Sequence, residues 1–293
     1  MTEPLLSEQF LQQLDRLRLA TRRPVRGMLR GLHRSSRQGT GMEFADYREY
    51  VEGDDLKNVD WRTFMRLDRL VVKLFVEEAD LPVYLFVDAS ASMGFGAPPA
   101  FPHAVRLAAA LSHIALANMD RVSLVAASDD GVKMLTGLRG VGQTWPALDF
   151  LGKLAPSGAG GLARAFRNFF AAPRPVGLAI VVSDFLDSGG FEPPLDVLRS
   201  RGQDVVLIHV SARGTGLEGM SGEQVLVDSE TGEEVTVRLT PAALEDYRRE
   251  CDRWTGLLQA YCRRQRWSYV EADTARSVES LVLSSLRSQA LVR

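Results

Sequence analysis

Two stretches of the chain are apolar without interruption, Val83–Val87 and Leu178–Val182. A strand covered on both faces of a sheet reads as such a run, whereas a half-exposed strand alternates. Further strands are expected at 70–76, 205–210 and 267–271. Two hairpins are expected: 122–127 with 132–135 across Asp130-Gly131, and 225–227 with 235–237 across Glu230 to Glu233. Apolar residues at helical spacing predict an amphipathic helix over residues 5–20 and others over 104–119, 144–154, 162–170 and 194–201. Thr240-Pro241, a cap followed by proline at the first helical position, opens a helix expected to reach Gln265. A closing helix is expected over 277–291. Strand and helix alternate from residue 83 onward, which predicts βαβ units and a mostly parallel sheet.

Before residue 79 the pattern changes twice. Residues 1–38 form an amphipathic, then basic, segment: between Arg16 and Arg37 there are eight arginines and no acid, with Arg18, Arg22, Arg26, Arg30 and Arg34 at every fourth position. Pro24, Gly27 and Gly31 oppose an unbroken helix there. The stripe suits a phosphate backbone or an acidic partner, or is a solvated face; nucleic-acid readers would add interleaved aromatic residues, which are missing here. Residues 39–78 mix acids, arginines and aromatic residues so densely that an ion-pair lattice fixing a non-repetitive segment is expected, packed on the main domain at 79–293.

Composition adds mostly exclusions. With 45% hydrophobic and 25% charged residues and a net charge of −2, no global field argues for nucleic acid or membrane. The apolar stretch 107–117 is too short to span a bilayer, and the first fifteen residues lack a signal-peptide pattern, so a cytoplasmic protein is expected. Cys251 and Cys262 fall on one expected helix, about 16 Å apart along its axis, too far for a disulfide. The four histidines show no zinc-ligand spacing.

The chemistry concentrates where the two apolar runs end. Asp88, Ser90 and Ser92 follow the first, and Ser183-Asp184 the second. Ligands of open α/β sheets bind outside the carboxyl ends of the strands, and hard oxygen donors there suit Mg²⁺. Asp88, Ser90, Ser92 and Asp184 are therefore the candidate metal-site residues, with Mn²⁺ as a surrogate ion. No histidine or cysteine stands near either motif in sequence, and no phosphate cradle is present, so a non-enzymatic role is expected. A Mg²⁺-dependent hydrolase using the same carboxylates is the alternative.

D-A-S-A-S at 88–92 resembles the D-x-S-x-S metal-ion-dependent adhesion site of von Willebrand factor A domains, and V-V-S-D at 181–184 resembles the strand carrying that site's second aspartate. The run from His33 to Trp61 is similar to the signature of the bacterial family called domain of unknown function 58; Arg66, Val72-Lys73, Glu77 or Glu78, and V-D-S-E-T-G at 227–232 fit its continuation. The resemblance implies a doubly wound α/β sheet with helices on both faces, preceded by a charged N-terminal extension and carrying a small β-hairpin insertion. It also implies a partner of the MoxR-type AAA+ ATPase class and a role in protein maturation or remodelling. One position departs from the adhesion-site pattern: Gly160 stands where a threonine is usual, and Thr144 is the alternative donor.

Overall fold

The computed structural model describes residues 4–20, 42–77, 80–128, 131–187, 189–212, 222–287 and 291–292. The chain divides into two compact units, one made of Met1–Arg22 with Leu81–Arg293 and the other of Arg23–Asp80. The expected boundary at residue 38 thus falls inside the smaller unit, and residues 4–20 belong to the larger one. Most of the arginine stripe lies outside the described residues; Arg16 and Arg18 are exposed.

The larger unit is built on a six-stranded sheet. Its strands are β3 (Pro82–Asp88), β4 (Arg121–Ser128), β5 (Gly131–Arg139), β6 (Leu178–Ser183), β7 (Asp204–Ser211) and β10 (Ser268–Asp273), in the order β10-β7-β6-β3-β4-β5. All neighbours are parallel except β5, which returns antiparallel along β4 as the expected hairpin. Counted from β3 this is the doubly wound order 3-2-1-4-5-6, whose direction of winding reverses between β3 and β6. Every residue of β3 and of β6 is buried, as their unbroken apolar runs predict.

Side chains alternate across these strands and serve two cores. On one face, Tyr84 and Phe86 meet α5 (Leu162–Phe169), α6 (Glu192–Ser200) and the C-terminal part of α7 (Pro241–Gln265). The Phe86 ring stands edge-on to Phe166 and Phe169 at 4.7 and 5.3 Å between centroids. Burying a side chain of that size contributes about 3 kcal/mol. The opposite face is covered by α3 (Ala100–Ala117), an alanine-rich helix buried nearly all round. This helix is longer than the expected 104–119 start allowed, and by length and hydropathy it could cross a membrane; 78% of it is nevertheless buried inside the fold. A helix apolar on every side belongs in a core, and this one has a sheet and further helices to cover it.

The N-terminal helix is shorter than its periodicity suggests. Observed as α1 (Glu8–Leu14), it starts at the Ser7 cap and ends at Asp15. Leu17 and Leu19 are then held in extended chain: Asn118 Nδ2 donates to the Leu17 carbonyl at 2.7 Å, and Leu19 bridges Val292. The far end of the chain is the other half of this correction. The expected helix 277–291 is α8 (Val278–Ser280), continued by a wide π-helical turn over Leu281–Leu286. Tertiary pairing of the two termini overrides helical propensity at both.

In the smaller unit the expected non-repetitive segment is a two-stranded antiparallel sheet of β1 (Met42–Glu49) and β2 (Val71–Glu77), joined through a 3₁₀ turn and α2 (Trp61–Leu67). A bulge between Phe44 and Asp46 shifts the alternation of β1 by one residue, which hides the strand from a period-two reading. Some of the expected ion pairing is present: Arg48 binds Asp54 at 2.8 Å and Lys73 lies 3.4 Å from Asp60. The second hairpin forms as expected, from β8 (Gly222–Val227) and β9 (Glu234–Leu239). Cys251 and Cys262 are free and both lie on α7.

Candidate metal centre

Asp88 is the last residue of β3, next to the point where the sheet reverses its winding. The chain leaving it is braced on both sides. Ala89 N–H donates to the Ala127 carbonyl of β4 at 2.8 Å; Ala91 N–H donates to Gly158 O at 2.8 Å, and Ser157 N–H to Ala89 O at 2.9 Å. These bonds hold the Ser90-Ser92 turn against the glycine-rich loop at 156–161. The Ser90 and Ser92 hydroxyl oxygens are 2.9 Å apart.

From the neighbouring strand, Ser183 Oγ donates to Asp88 Oδ2 at 2.5 Å, while Ser90 N–H donates to Asp88 Oδ1 at 3.0 Å. Asp184 follows Ser183, and its Oδ1 accepts the Leu186 N–H at 3.0 Å. Between them Phe185 has a left-handed backbone, φ 57°, with its N–H given to Ser183 Oγ at 2.8 Å. A buried phenylalanine in that region carries strain of about 1–3 kcal/mol, of the kind that gathers at functional sites. The structure therefore brings Asp88, Ser90, Ser92 and Asp184 together at one edge of the sheet.

Electrostatically the site is unbalanced. Burial pushes the Asp88 carboxyl above its ordinary range, against hydrogen bonds from Ser183 and Ser90 that pull it down. Burial, and next the charge of Asp88, push Asp184 up to about 7. Among the described residues neither carboxylate has a cationic partner. Two carboxylates and two hydroxyls are hard donors that fit a cation such as Mg²⁺, and a cation would balance the buried charge. No three His, Cys, Asp or Glu side chains form a metal cage by themselves among the described residues, so hydroxyls and waters would complete the coordination.

The site opens into a small cleft lined also by Gly160, Asp187 and Glu230. Its free volume of about 10 Å³ is the room of roughly one water molecule. Gly160 thus lies at the site; a Cβ there would stand 3.1 Å from Asp187 Oδ2. Thr144 is engaged elsewhere, its Oγ1 lying 3.0 Å from His113 Nδ1.

Three participants escaped the sequence reading. Asp187 lies three residues after Asp184, a spacing without periodic meaning in a loop. Glu230 arrives from the β8–β9 tip, and the V-D-S-E-T-G text was its only signal. His209 has no motif around it, but the β6–β7 register pairs it with Ser183. No histidine stands near either motif in sequence; the parallel pairing of β6 and β7 is what brings His209 alongside Ser183. His209 Nδ1 lies 2.7 Å from the Tyr269 hydroxyl, and its ring packs beside Phe185.

The family model described as "Protein of unknown function DUF58" matches residues 46–254. Uncharacterized proteins of Mycobacterium bovis and of two Mycobacterium tuberculosis strains are each 27% identical over 241 residues, covering 80% of this chain and 76% of theirs. Among solved structures, an aerotolerance-related membrane protein from Bacteroides fragilis is 16% identical, with a TM-score of 0.40 over 71% of this chain and 99% of that one. A manganese-loaded Plasmodium vivax TRAP protein is 19% identical, with a TM-score of 0.33 over 47% and 60%. The family match spans well over half of the residues, and the chain belongs to the DUF58 family.

Proposed function

We propose that this DUF58 protein is a non-enzymatic interaction module whose Asp88, Ser90, Ser92 and Asp184 hold a divalent cation, Mg²⁺ with Mn²⁺ as surrogate, to receive an acidic side chain of a partner protein. The observation that carries the reading is the pair of buried carboxylates without a cationic partner, with Asp184 pushed up to about 7 by burial and by Asp88. Structural acids in protein interiors are paired; acids held unpaired at the switch point of a doubly wound sheet are arranged for something that arrives. A bound cation would supply a Lewis-acidic position for a carboxylate oxygen. Asp88, kept in place by Ser183 and the Ser90 N–H, orients the site, and the strained Phe185 turn sets the direction of Asp184.

A hydrolytic role is less well supported. No phosphate cradle accompanies either aspartate in sequence, and His209 is already engaged with Tyr269. The partner class, a MoxR-type AAA+ ATPase, rests on the family resemblance.

Titration calorimetry with Mg²⁺ and Mn²⁺ tests the cation: heat is expected from the wild type and none from Asp88→Ala, and equal heats from both would remove the metal claim. Retention of a MoxR-type ATPase on the immobilised protein in ATP and in ADP, with and without Mg²⁺, tests the partner. Turnover of phosphodiester or phosphomonoester substrates that disappears in Asp88→Ala would replace this reading by the hydrolase.

A further inference from the structure

We infer that α2 of the smaller unit is a docking face for an acidic amphipathic helix of another protein, with Trp61 and Met65 meeting its apolar residues and Arg62 and Arg66 its Asp and Glu side chains. This face lies in the other unit of the chain from the Asp88 site and needs no cation.

A helix of seven residues does not hold itself by propensity, since isolated helices shorter than about 12 residues are marginal in water. Short helices persist by burying an apolar face. Yet α2 has no buried residue, although Trp61, Phe64, Met65 and Leu67 are all large and apolar. What fixes the helix is its mount. Buried Asp60 accepts the N–H groups of Arg62 at 3.0 Å and Thr63 at 3.3 Å, and ties this first turn to the Tyr47 hydroxyl of β1 and to Lys73 of β2. Asp60 N–H donates to Val71 O at 2.9 Å, and the far end stops at left-handed Asp68, whose N–H returns to Phe64 O. The β1–β2 ribbon therefore holds α2 in place without covering it, so a partner would meet a surface that is already ordered.

The uncovered residues are of the types that protein contacts favour. Met65 is 80% accessible, Leu67 66% and Trp61 52%, and Trp, Met and Arg are enriched at interfaces. Trp61 and Met65 stand four apart and form one ridge; Arg62 and Arg66, also four apart, form the next. Both arginines are exposed, and neither side chain, nor that of Arg69 just beyond the helix, has a hydrogen bond or ion pair among the described residues. Arg48 and Lys73 of the same unit are by contrast engaged with Asp54 and Asp60. An apolar ridge beside an unmatched cationic one selects the converse pair, apolar residues edged by carboxylates. A helix presents both in ridges of the same spacing. An anionic lipid surface fits less well: over 42–77 acids outnumber bases nine to six, so a broad negative plane is repelled where a narrow segment lying along α2 is not.

Selection of displayed helical peptides on the immobilised whole chain tests the inference, with a library that keeps a leucine face and varies the flanking positions among Glu, Gln and Lys. Wild type should enrich Glu over Lys at the flanks roughly tenfold. Arg62→Glu combined with Arg66→Glu should reverse the preference to Lys, a result that loss of folding would not give. Met65→Ala should weaken the selected peptide roughly tenfold by fluorescence anisotropy and leave the urea midpoint unchanged. Absence of enriched peptides, or one flank preference shared by wild type and the reversed variant, would overturn the inference. Sedimentation of the chain with phosphatidylserine vesicles that is lost in Met65→Asp would overturn it in favour of a membrane, and a dimer lost in that variant would do so in favour of a second copy.

Discussion

Asp60, in the smaller unit, is a buried aspartate surrounded by donors. It caps α2 through the N–H groups of Arg62 and Thr63, accepts the Tyr47 hydroxyl at 3.0 Å and lies 3.4 Å from Lys73. Burial opposes its charge, but these partners outweigh burial and hold the carboxyl down to about 2. Asp184, in the larger unit, is also buried, yet it has one backbone donor, a nearby Ser92 hydroxyl and a second carboxylate beside it, and it is pushed up to about 7. Both acids are nearly inaccessible to solvent. What separates them is whether the fold supplies the countercharge. Asp60 is complete within the chain, whereas Asp184 has no cationic partner among the described residues.

The largest effect expected from this contrast is on the ligand-free protein. Asp184→Asn removes an uncompensated buried charge and should raise stability by about 1–3 kcal/mol at pH 8, read from urea unfolding in the presence of a chelator. Asp60→Asn should do the opposite, lowering the melting temperature with no recovery on adding Mg²⁺. If both substitutions destabilise alike, Asp184 is as structural as Asp60 and the contrast fails.

The pH dependence follows with opposite signs. Asp60 is held below the ordinary carboxylate value of 3.8, so its contribution is present above that pH and is lost as pH falls toward 2. For Asp184 the folded chain keeps a proton that the unfolded chain has released, so stability without cation should decline as pH rises from 3.8 to about 7. Each unit of pH in that window removes at most about 1.4 kcal/mol. Melts followed by circular dichroism should show this decline in wild type and lose it in Asp184→Asn or on saturation with Mg²⁺. A flat profile between these limits would mean that Asp184 titrates normally.

A smaller effect is expected at Arg48, whose guanidinium holds Asp54 at 2.8 Å with both side chains partly exposed. Arg48→Ala should cost under about 1 kcal/mol. A larger loss would show that the charged segment behaves as a cooperative lattice, as its sequence suggests.

The contrast was partly legible in the chain alone. Apolar runs ending in acids marked β3 and β6, because strands covered on both faces have no solvent side to encode, and the position of Asp88 and Asp184 follows from that. Dense opposite charge around Asp60 marked it as structural, although the strand containing Tyr47 was hidden by a bulge that breaks the alternation. The approach of Glu230 and His209 could not be read in the same way. One depends on where a hairpin tip lands and the other on the register of two parallel strands, and both are set by packing between segments far apart in sequence.

Gly160 offers the finest adjustment of the site. Its backbone is outside the left-handed region, so a side chain is tolerated there. In Gly160→Thr the new Cβ would come within 3.1 Å of Asp187 Oδ2, the far end of a flexible side chain that can turn away. The change in stability should stay below about 1 kcal/mol. A hydroxyl would enter the donor set while Asp187 leaves, so Mn²⁺ affinity should rise by a few-fold at most, roughly threefold, because a neutral donor replaces a water and a nearby negative charge moves off. Calorimetry on Gly160→Thr and on Gly160→Thr with Asp187→Asn separates these contributions. A gain in the single variant that persists in the double one assigns it to the hydroxyl; a loss in the single variant shows that Asp187, drawn in by the missing side chain, already does the threonine's work.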